Sequence, residues 1–254
     1  MGETILKMQG IQKYFAGVHA LNGVNFELRA GEVHALMGEN GAGKSTLIKV
    51  LCGIHQRDGG TVEYFGEEVN FHNIAQSQEA GISVIHQELN MMGHLTVAQN
   101  MFIGREFMMG SLINDKAMEE EAQRLFDKMG VKIDPTAMLG SLTVGKQQMV
   151  EIAKAVSREC KLLVLDEPTA ALDPIAESDI YQKYSAMSGG KTSIFISHRL
   201  ASTRFCDRIL YLADGTIAEE GTHEELLKMG GAYAELYEIQ SRYYQEGADF
   251  RGEL

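Results

Sequence analysis

The chain has 254 residues, and 35 acidic residues outnumber 23 lysines and arginines, which gives a formal charge of −12 at pH 7. A protein that binds nucleic acid ordinarily carries a basic face, so this acidic balance argues against that class. The sequence has no apolar run of about 20 residues that could cross a bilayer, and its first residues lack the pattern of a secretion signal. We therefore expect a cytoplasmic globular chain that folds as one domain, residues 1–254.

Short apolar runs alternate with longer helical patterns along the chain, which predicts an α/β fold whose sheet is at least partly parallel. The first 30 residues and residues 60–71 alternate apolar positions with Gly and Asn, which predicts an antiparallel sheet. Residues 94–158 have a mostly helical pattern, including one amphipathic helix over Asp115 to Met129. The predicted core strands are Val33 to Met37, Ile82 to His86, Leu162 to Leu165 and Ser193 to Ser197.

The strongest local motif is the stretch 38–46, GENGAGKST, a full match to G-x-x-x-x-G-K-[ST]. A predicted strand precedes it and a helical pattern, Lys44 to Leu51, follows it. Glycines let backbone N–H groups wrap a phosphate, Lys44 can neutralise the β- and γ-phosphates, and the Ser45 hydroxyl can ligate Mg²⁺. The alternative is a plain glycine turn. The residues predicted to hold the nucleotide are Gly38, Glu39, Asn40, Gly41, Ala42, Gly43, Lys44, Ser45 and Thr46.

A second stretch, Gly140 to Lys146, also fits G-x-x-x-x-G-K. Gln147 follows it, however, where the motif requires a hydroxyl residue, and no strand pattern precedes it. We do not expect a second phosphate cradle there.

Two adjacent carboxylates, Asp166 and Glu167, follow the apolar run Leu162 to Leu165. Ligands of open α/β sheets bind beyond the carboxyl ends of strands, and neighbouring strand residues face opposite sides. We predict that Asp166 faces the Mg²⁺ shell and that Glu167 accepts the proton of an attacking water. The alternative is a solvated acidic strand end.

Gln87 and His198 follow two further predicted strands in the same way. The Gln87 amide can contact metal and water without adding charge, and His198 can hydrogen-bond the γ-phosphate or the attacking water. Each residue alone would more often be a capping or core group. Four such strand ends in one chain favour a joint catalytic role for Glu167, His198 and Gln87, with Ser45, Gln87 and Asp166 at the metal.

Over residues 3–245 the sequence resembles ATP-binding cassette (ABC) proteins, the nucleotide-hydrolysing subunits of ABC transporters. The family's motifs occur in order: GENGAGKST, the Q-loop Gln87, the signature segment from Leu142 to Lys146, Asp166-Glu167, Ala171-Leu172-Asp173 and the switch histidine His198. The resemblance implies a P-loop NTPase fold with a mixed core sheet and an antiparallel β subdomain, over residues 1–93 and 159–245. It also implies a helical subdomain over residues 94–158 and a loose tail over residues 246–254.

The resemblance also assigns two sets of residues to ATP. Phe15, or its neighbour Tyr14, would stack on adenine, unless either ring belongs to the core. The signature segment, normally L-S-G-G-Q, would meet the ATP held by a second subunit, so two chains would be needed. Here Val144 replaces a glycine and Lys146 replaces the glutamine, and Lys146 either tightens this contact or faces solvent. The residues that would act in trans are Thr143, Val144, Gly145 and Lys146.

Different parts of the sequence resemble two different branches of the family. Residues 3–160 resemble carbohydrate-importer cassettes, and residues 162–245 resemble exporter cassettes, so the sequence is a natural hybrid or a fusion. The expected function is Mg-dependent ATP hydrolysis that drives transport, of a sugar by preference, with integral membrane subunits and a second cassette as partners and no nucleic acid. The alternatives are an exporter-type cassette and a cassette ATPase without a transport role.

Overall fold

The computed structural model describes residues 2–85, 91–157, 160–166, 192–197, 203 and 206–249. The chain divides into two compact units, one formed by residues 1–80 with 191–254 and the other by residues 81–190. We call them the loop unit and the helical unit. In chain order the elements are β1 (Thr4–Phe15), β2 (Val18–Arg29), β3 (Val33–Gly38), α1 (Lys44–Leu51), β4 (Gly59–Tyr64), β5 (Glu67–Glu68), α2 (Ile74–Glu79), β6 (Ile82–Ile85), α3 (Val97–Phe102), β7 (Met108–Met109), β8 (Leu112–Ile113), α4 (Asp115–Lys128), α5 (Val144–Val156), β9 (Leu162–Asp166), β10 (Thr192–Ile196), β11 (Arg208–Ala213), β12 (Thr216–Gly221), α6 (His223–Met229) and α7 (Ala232–Asp249).

The loop unit contains two kinds of sheet. Strands β2, β1, β4 and β5 lie side by side in that order, and all their pairings are antiparallel. In the second sheet β3 pairs in parallel with β10 on one side and with β11 on the other, while β12 pairs antiparallel with β11. The predicted α/β class, the mixed sheet and the antiparallel β subdomain are confirmed.

The C-terminal helices of the loop unit pack on its second sheet. Tyr233 of α7 is fully buried in a cluster with Ala35, Met37, Ile209 and Leu226. The carboxylate of Glu219 on β12 accepts hydrogen bonds from the first two backbone N–H groups of α7, at 2.6 and 3.2 Å. A negative charge at a helix N-terminus is favourable, so this contact anchors α7.

The helical unit contains the parallel pair β6 and β9 together with helices α3, α4 and α5. The amphipathic helix predicted over Asp115 to Met129 is α4. The Asn114 side chain accepts a hydrogen bond from the Ala117 N–H at 3.1 Å and caps the helix. Gly130 follows in the left-handed region at φ 61°, which ends it. The buried face of α4 consists of Met118, Ala122 and Phe126.

Some local features differ from the sequence prediction. Strands β7 and β8 form a small hairpin, with Gly110 at φ 66°, inside the part predicted to be mostly helical. Strand β10 ends at Ile196, one residue earlier than predicted. Among the described residues no helix is long and apolar enough to span a bilayer.

Candidate functional site

The glycine loop joins a buried strand to a helix in the loop unit. Strand β3 ends at Gly38 and α1 begins at Lys44. Gly38 has φ 140°, and a Cβ there would lie 2.1 Å from the backbone oxygen of Leu212. Gly43 has φ 105°, and a Cβ there would lie 2.5 Å from the backbone oxygen of Ala20. Both ends of the loop therefore require glycine, for the backbone angle and for the neighbouring chain.

The middle of the loop has room on its outer side. Gly41 has φ 87°, and a Cβ there would meet no atom within 4 Å. Glu39, Asn40 and Gly41 are exposed, and the Ala42 N–H donates to the Glu39 carbonyl at 3.2 Å. In the described part of the chain no side chain makes a capping hydrogen bond at the N-terminus of α1, whose N-cap is Gly43, so the positive end of the helix lies next to the loop. Such an open loop at a helix N-terminus suits an anion.

The ammonium of Lys44 lies against the backbone of the glycine loop. Lys44 is only 5% exposed. Its Nζ donates to the carbonyl oxygens of Gly38 and Glu39, at 2.8 and 2.9 Å. A buried ammonium is stable only when hydrogen-bonded, and these two carbonyl oxygens supply part of that stabilisation. The loop therefore holds a positive charge close to the place where a phosphate would bind.

The candidate magnesium ligands among the described residues are Ser45 and Asp166. Ser45 and Thr46 lie partly buried in the first turn of α1. Asp166 is the last residue of β9 in the helical unit and is 8% exposed. A hydroxyl and a carboxylate are the oxygen ligands that Mg²⁺ takes from proteins beside phosphate oxygens. These residue types fit the ion.

Gln87, Glu167 and His198 lie outside the described residues. The strands that lead to them are described: β6 ends at Ile85, β9 at Asp166 and β10 at Ile196. The catalytic roles of the three residues remain predictions.

The two candidate adenine-stacking residues lie at the tip of the β1–β2 hairpin. Phe15 is 37% exposed and Tyr14 is 50% exposed. Phe15 meets His55 edge-on with ring centroids 5.0 Å apart, whereas Tyr14 stacks flat on His19 at 4.0 Å. One face of Tyr14 is thus already covered. Ala20 of the same hairpin lies against Gly43 of the glycine loop. Strand β2 begins two residues before Ala20, so the hairpin tip lies roughly 7 Å along β2 from that contact.

Asp58 organises the hairpin tip, although no motif in the sequence pointed to it. Its carboxylate accepts from the Tyr14 N–H at 2.6 Å and from the Lys13 ammonium at 3.0 Å. These two contacts hold the pKa of Asp58 below its ordinary value, the backbone hydrogen bond being the larger cause. The residues are more than 40 positions apart, so no local pattern links them.

The signature segment opens α5 in the helical unit. Thr143 is the N-cap, yet its side chain makes no capping hydrogen bond. Thr143, Val144 and Lys146 are exposed, and Gly145 is partly buried. The Gln147 amide donates to the carbonyls of Leu139 and Leu142, at 3.2 and 3.0 Å, and closes the preceding turn. The first turn of α5 therefore presents an exposed surface that includes one positive charge.

Comparison with known proteins agrees with these features. A family model described as ABC transporter matches residues 21–170, which is more than half of the chain. The ribose import ATP-binding protein RbsA of Geobacillus kaustophilus is 46% identical over 237 residues, covering 89% of this chain and 47% of the relative. The xylose import ATP-binding protein XylG of the same organism is 44% identical over 256 residues, covering 95% and 50%. The chain spans about half the length of these curated relatives.

Solved structures are similar over most of the chain. The ADP conformation of MJ1267, an ATP-binding cassette of an ABC transporter, has a TM-score of 0.80 at 28% identity and covers 92% of this chain and 98% of that one. A bacterial Atm1-family ABC exporter with ATP bound has a TM-score of 0.77 at 27% identity, over 94% of this chain and 42% of that one. Importer relatives and an exporter structure, the two groups that the sequence resembles, are both among the matches.

Proposed function

Since the chain belongs to the ABC transporter family as an ATP-binding cassette, we propose that it hydrolyses ATP to drive the uptake of a sugar. The phosphate loop supports this proposal most directly. It combines two glycines that admit no side chain, Gly38 and Gly43, a helix N-terminus without a side-chain cap hydrogen bond, and a buried ammonium within one short segment. This combination suits the β- and γ-phosphates of a nucleotide.

Binding begins with the exchange of partners at Lys44. Its Nζ leaves the carbonyls of Gly38 and Glu39 for phosphate oxygens, so that the ammonium meets full negative charge in place of carbonyl dipoles. Ser45, Asp166 and Gln87 would hold Mg²⁺. When bound, the ion would offset the negative charge of the β- and γ-phosphate oxygens.

Hydrolysis then depends on side chains at the strand ends. Glu167 accepts a proton from water as the water oxygen attacks the γ-phosphorus, and the bond from that phosphorus to the β-γ bridging oxygen breaks, releasing ADP and phosphate. Gln87 orients the water, and His198 donates a hydrogen bond to the γ-phosphate. Phe15 stacks on adenine with its exposed ring, and Tyr14, already stacked on His19, is the weaker candidate.

A second cassette completes the site. The surface formed by Thr143, Val144, Gly145 and Lys146 faces the γ-phosphate held by its partner, and the two cassettes close on two ATP molecules. Hydrolysis reopens the pair. The exposed first turn of α5 supports this role, since a helix N-terminus and an ammonium both attract phosphate.

The names of the relatives support the proposed transport role. Their names describe import of ribose and xylose, and the identities of 44–46% extend over nearly the whole chain. We therefore propose a sugar as the solute and membrane subunits as partners, which places the chain at the cytoplasmic face of a membrane. Copurification with integral membrane proteins supports transport; copurification with ribosomes supports a cassette ATPase without a transport role.

The Glu167→Gln variant tests the proposed chemistry. The amide keeps the shape of the side chain but cannot accept the proton, so phosphate release should fall by about 100-fold or more. ATP should then accumulate in a stable dimer, which light scattering detects at increasing ATP. Asp127→Asn, on exposed surface of α4, is the matched control and should hydrolyse ATP normally. Normal phosphate release by Glu167→Gln would refute the assignment of the base.

A further inference from the structure

The guanidinium of Arg105 joins the ends of two helices in the helical unit. Helix α3 ends at Phe102, and the Nη2 of Arg105 donates to the Met101 carbonyl at 2.9 Å. The same guanidinium donates to the carbonyls of Lys154 and Ser157, both at 3.3 Å. Nη2 also contacts the Oγ of Ser157. One side chain therefore binds the last turns of α3 and α5.

This arrangement satisfies a physical requirement of both helices. The last carbonyls of a helix have no partner within the helix, and a positive charge at that end is favourable. Gly104, at φ 75°, turns the chain just before Arg105. The Phe102 ring lies under the guanidinium with 5.1 Å between Cζ and the ring centroid, which orients its plane. A guanidinium is planar and presents five donors in a fixed fork, a geometry that the point charge of a lysine ammonium does not reproduce.

The other end of α5 carries the signature segment. Helix α5 has 13 residues, so its two ends lie about 20 Å apart. Val150 and Ala153 bury the middle of the helix, but packing of apolar side chains is non-directional. Hydrogen bonds at the C-terminal turn add a directional constraint. If the axis of α5 changes direction at this C-terminal turn, the first turn of α5 moves as well, because a helix behaves as a stiff rod.

We propose that Arg105 is a positioning residue for the signature segment: it holds the C-terminal turn of α5 against α3, and so aligns Thr143 to Lys146 with the ATP of a second copy. The inference rests on the proposed function, because it presupposes that two cassettes enclose ATP. Arg105 does not touch the nucleotide. The phosphate loop belongs to the loop unit, so binding of nucleotide to a single chain should not depend on Arg105.

The test compares Arg105→Ala and Arg105→Lys, each in the Glu167→Gln chain. Light scattering measures the ATP-dependent dimer, and calorimetry measures ADP affinity. We expect Arg105→Ala to weaken dimerisation by about tenfold or more and to leave ADP affinity unchanged, since misplacement of about 1 Å can lower reactivity by up to 100-fold. Arg105→Lys keeps the positive charge but not the forked set of guanidinium donors. Its dimerisation should be weakened less than that of Arg105→Ala. With Glu167 intact, kcat should fall while KM does not change.

Arg124→Ala is the matched control. Arg124 is exposed on α4 and pairs with Glu121 at 2.5 Å, so its loss removes the same charge from the same unit and should leave the dimer unchanged. Normal dimerisation of both Arg105 variants would overturn the inference. The inference would also be overturned if dimerisation weakened only in proportion to losses of thermal stability and ADP affinity. If Arg105→Ala does not fold, Arg105→Lys decides. Failure of the Glu167→Gln parent to dimerise would count against the proposed function itself.

Discussion

Two stretches of this chain share the pattern G-x-x-x-x-G-K, yet they form different local structures. The stretch Gly38 to Lys44 follows a buried strand, and its helix begins at the lysine itself. The stretch Gly140 to Lys146 begins within a short 3₁₀ turn, Leu139–Ser141, and its helix begins two residues before the lysine.

The position of the lysine within its helix changes its surroundings. Lys44 lies buried and donates to two loop carbonyls, whereas Lys146 is exposed on the first turn of α5. A match to the sequence pattern G-x-x-x-x-G-K is therefore not sufficient to form a phosphate-binding loop. A preceding strand, and a helix that begins at the lysine, are needed to bring backbone N–H groups and the ammonium to the same place.

The largest difference should come from the first glycine of each stretch. An Ala at Gly38 would have an unfavourable φ and would meet the Leu212 oxygen at 2.1 Å, so we expect Gly38→Ala to lose about 3 kcal/mol, or roughly 6 to 12 °C in Tm. At Gly140 the nearest atom, the Gly93 oxygen, is 3.0 Å away, and we expect Gly140→Ala to lose about 1 kcal/mol. Thermal unfolding measures both. Equal losses would contradict the comparison.

The second largest difference should be between the effects of replacing Lys44 and Lys146 on ATP affinity. Lys44→Ala removes the buried ammonium that would bind phosphate, and ATP affinity by calorimetry should fall by about 10- to 100-fold. Lys146→Ala is the matched control and should leave the ATP affinity of a single chain unchanged, because its charge is exposed on the other stretch. An unchanged affinity in Lys44→Ala would rule out the phosphate cradle.

The smallest effect should be that of Lys146 on the dimer. Lys146→Gln restores the residue that the signature segment normally carries and removes one exposed charge. We expect the ATP-dependent dimer of the Glu167→Gln chain to weaken by about threefold at low salt. The difference should vanish near 1 M salt, where the screening length is about 3 Å. A difference independent of salt would mean that Lys146 acts through shape and not through charge.

Local patterns explain the parts of the fold that could be predicted. Helix α1 has the bounds that its sequence predicts, Lys44–Leu51, since a strand, a glycine loop and an apolar helical pattern follow each other directly. Helix α4 ends within one residue of its prediction because Asn114 caps it and Gly130 stops it. Strong local propensity and the tertiary structure agree at these places.

The features that could not be predicted depend on distant residues. The β7–β8 hairpin has strands of only two residues, too short for an alternation pattern to distinguish from a helix. Asp58 reaches the hairpin tip from more than 40 positions away, and Arg105 reaches Ser157 from a similar distance. No periodicity within one element encodes such contacts.

The sequence by itself determined the family, the α/β class and the position of the glycine loop, because these depend on residue types at short, regular spacing. Only the tertiary structure decided why Gly38 and Gly43 must be glycine, where the ammonium of Lys44 lies, and which side chain joins α3 to α5. The physical reason is the same in each case. Packing brings carbonyl oxygens from distant strands and helices against these residues, and excluded volume and hydrogen bonding act between atoms in space, whatever their separation along the chain.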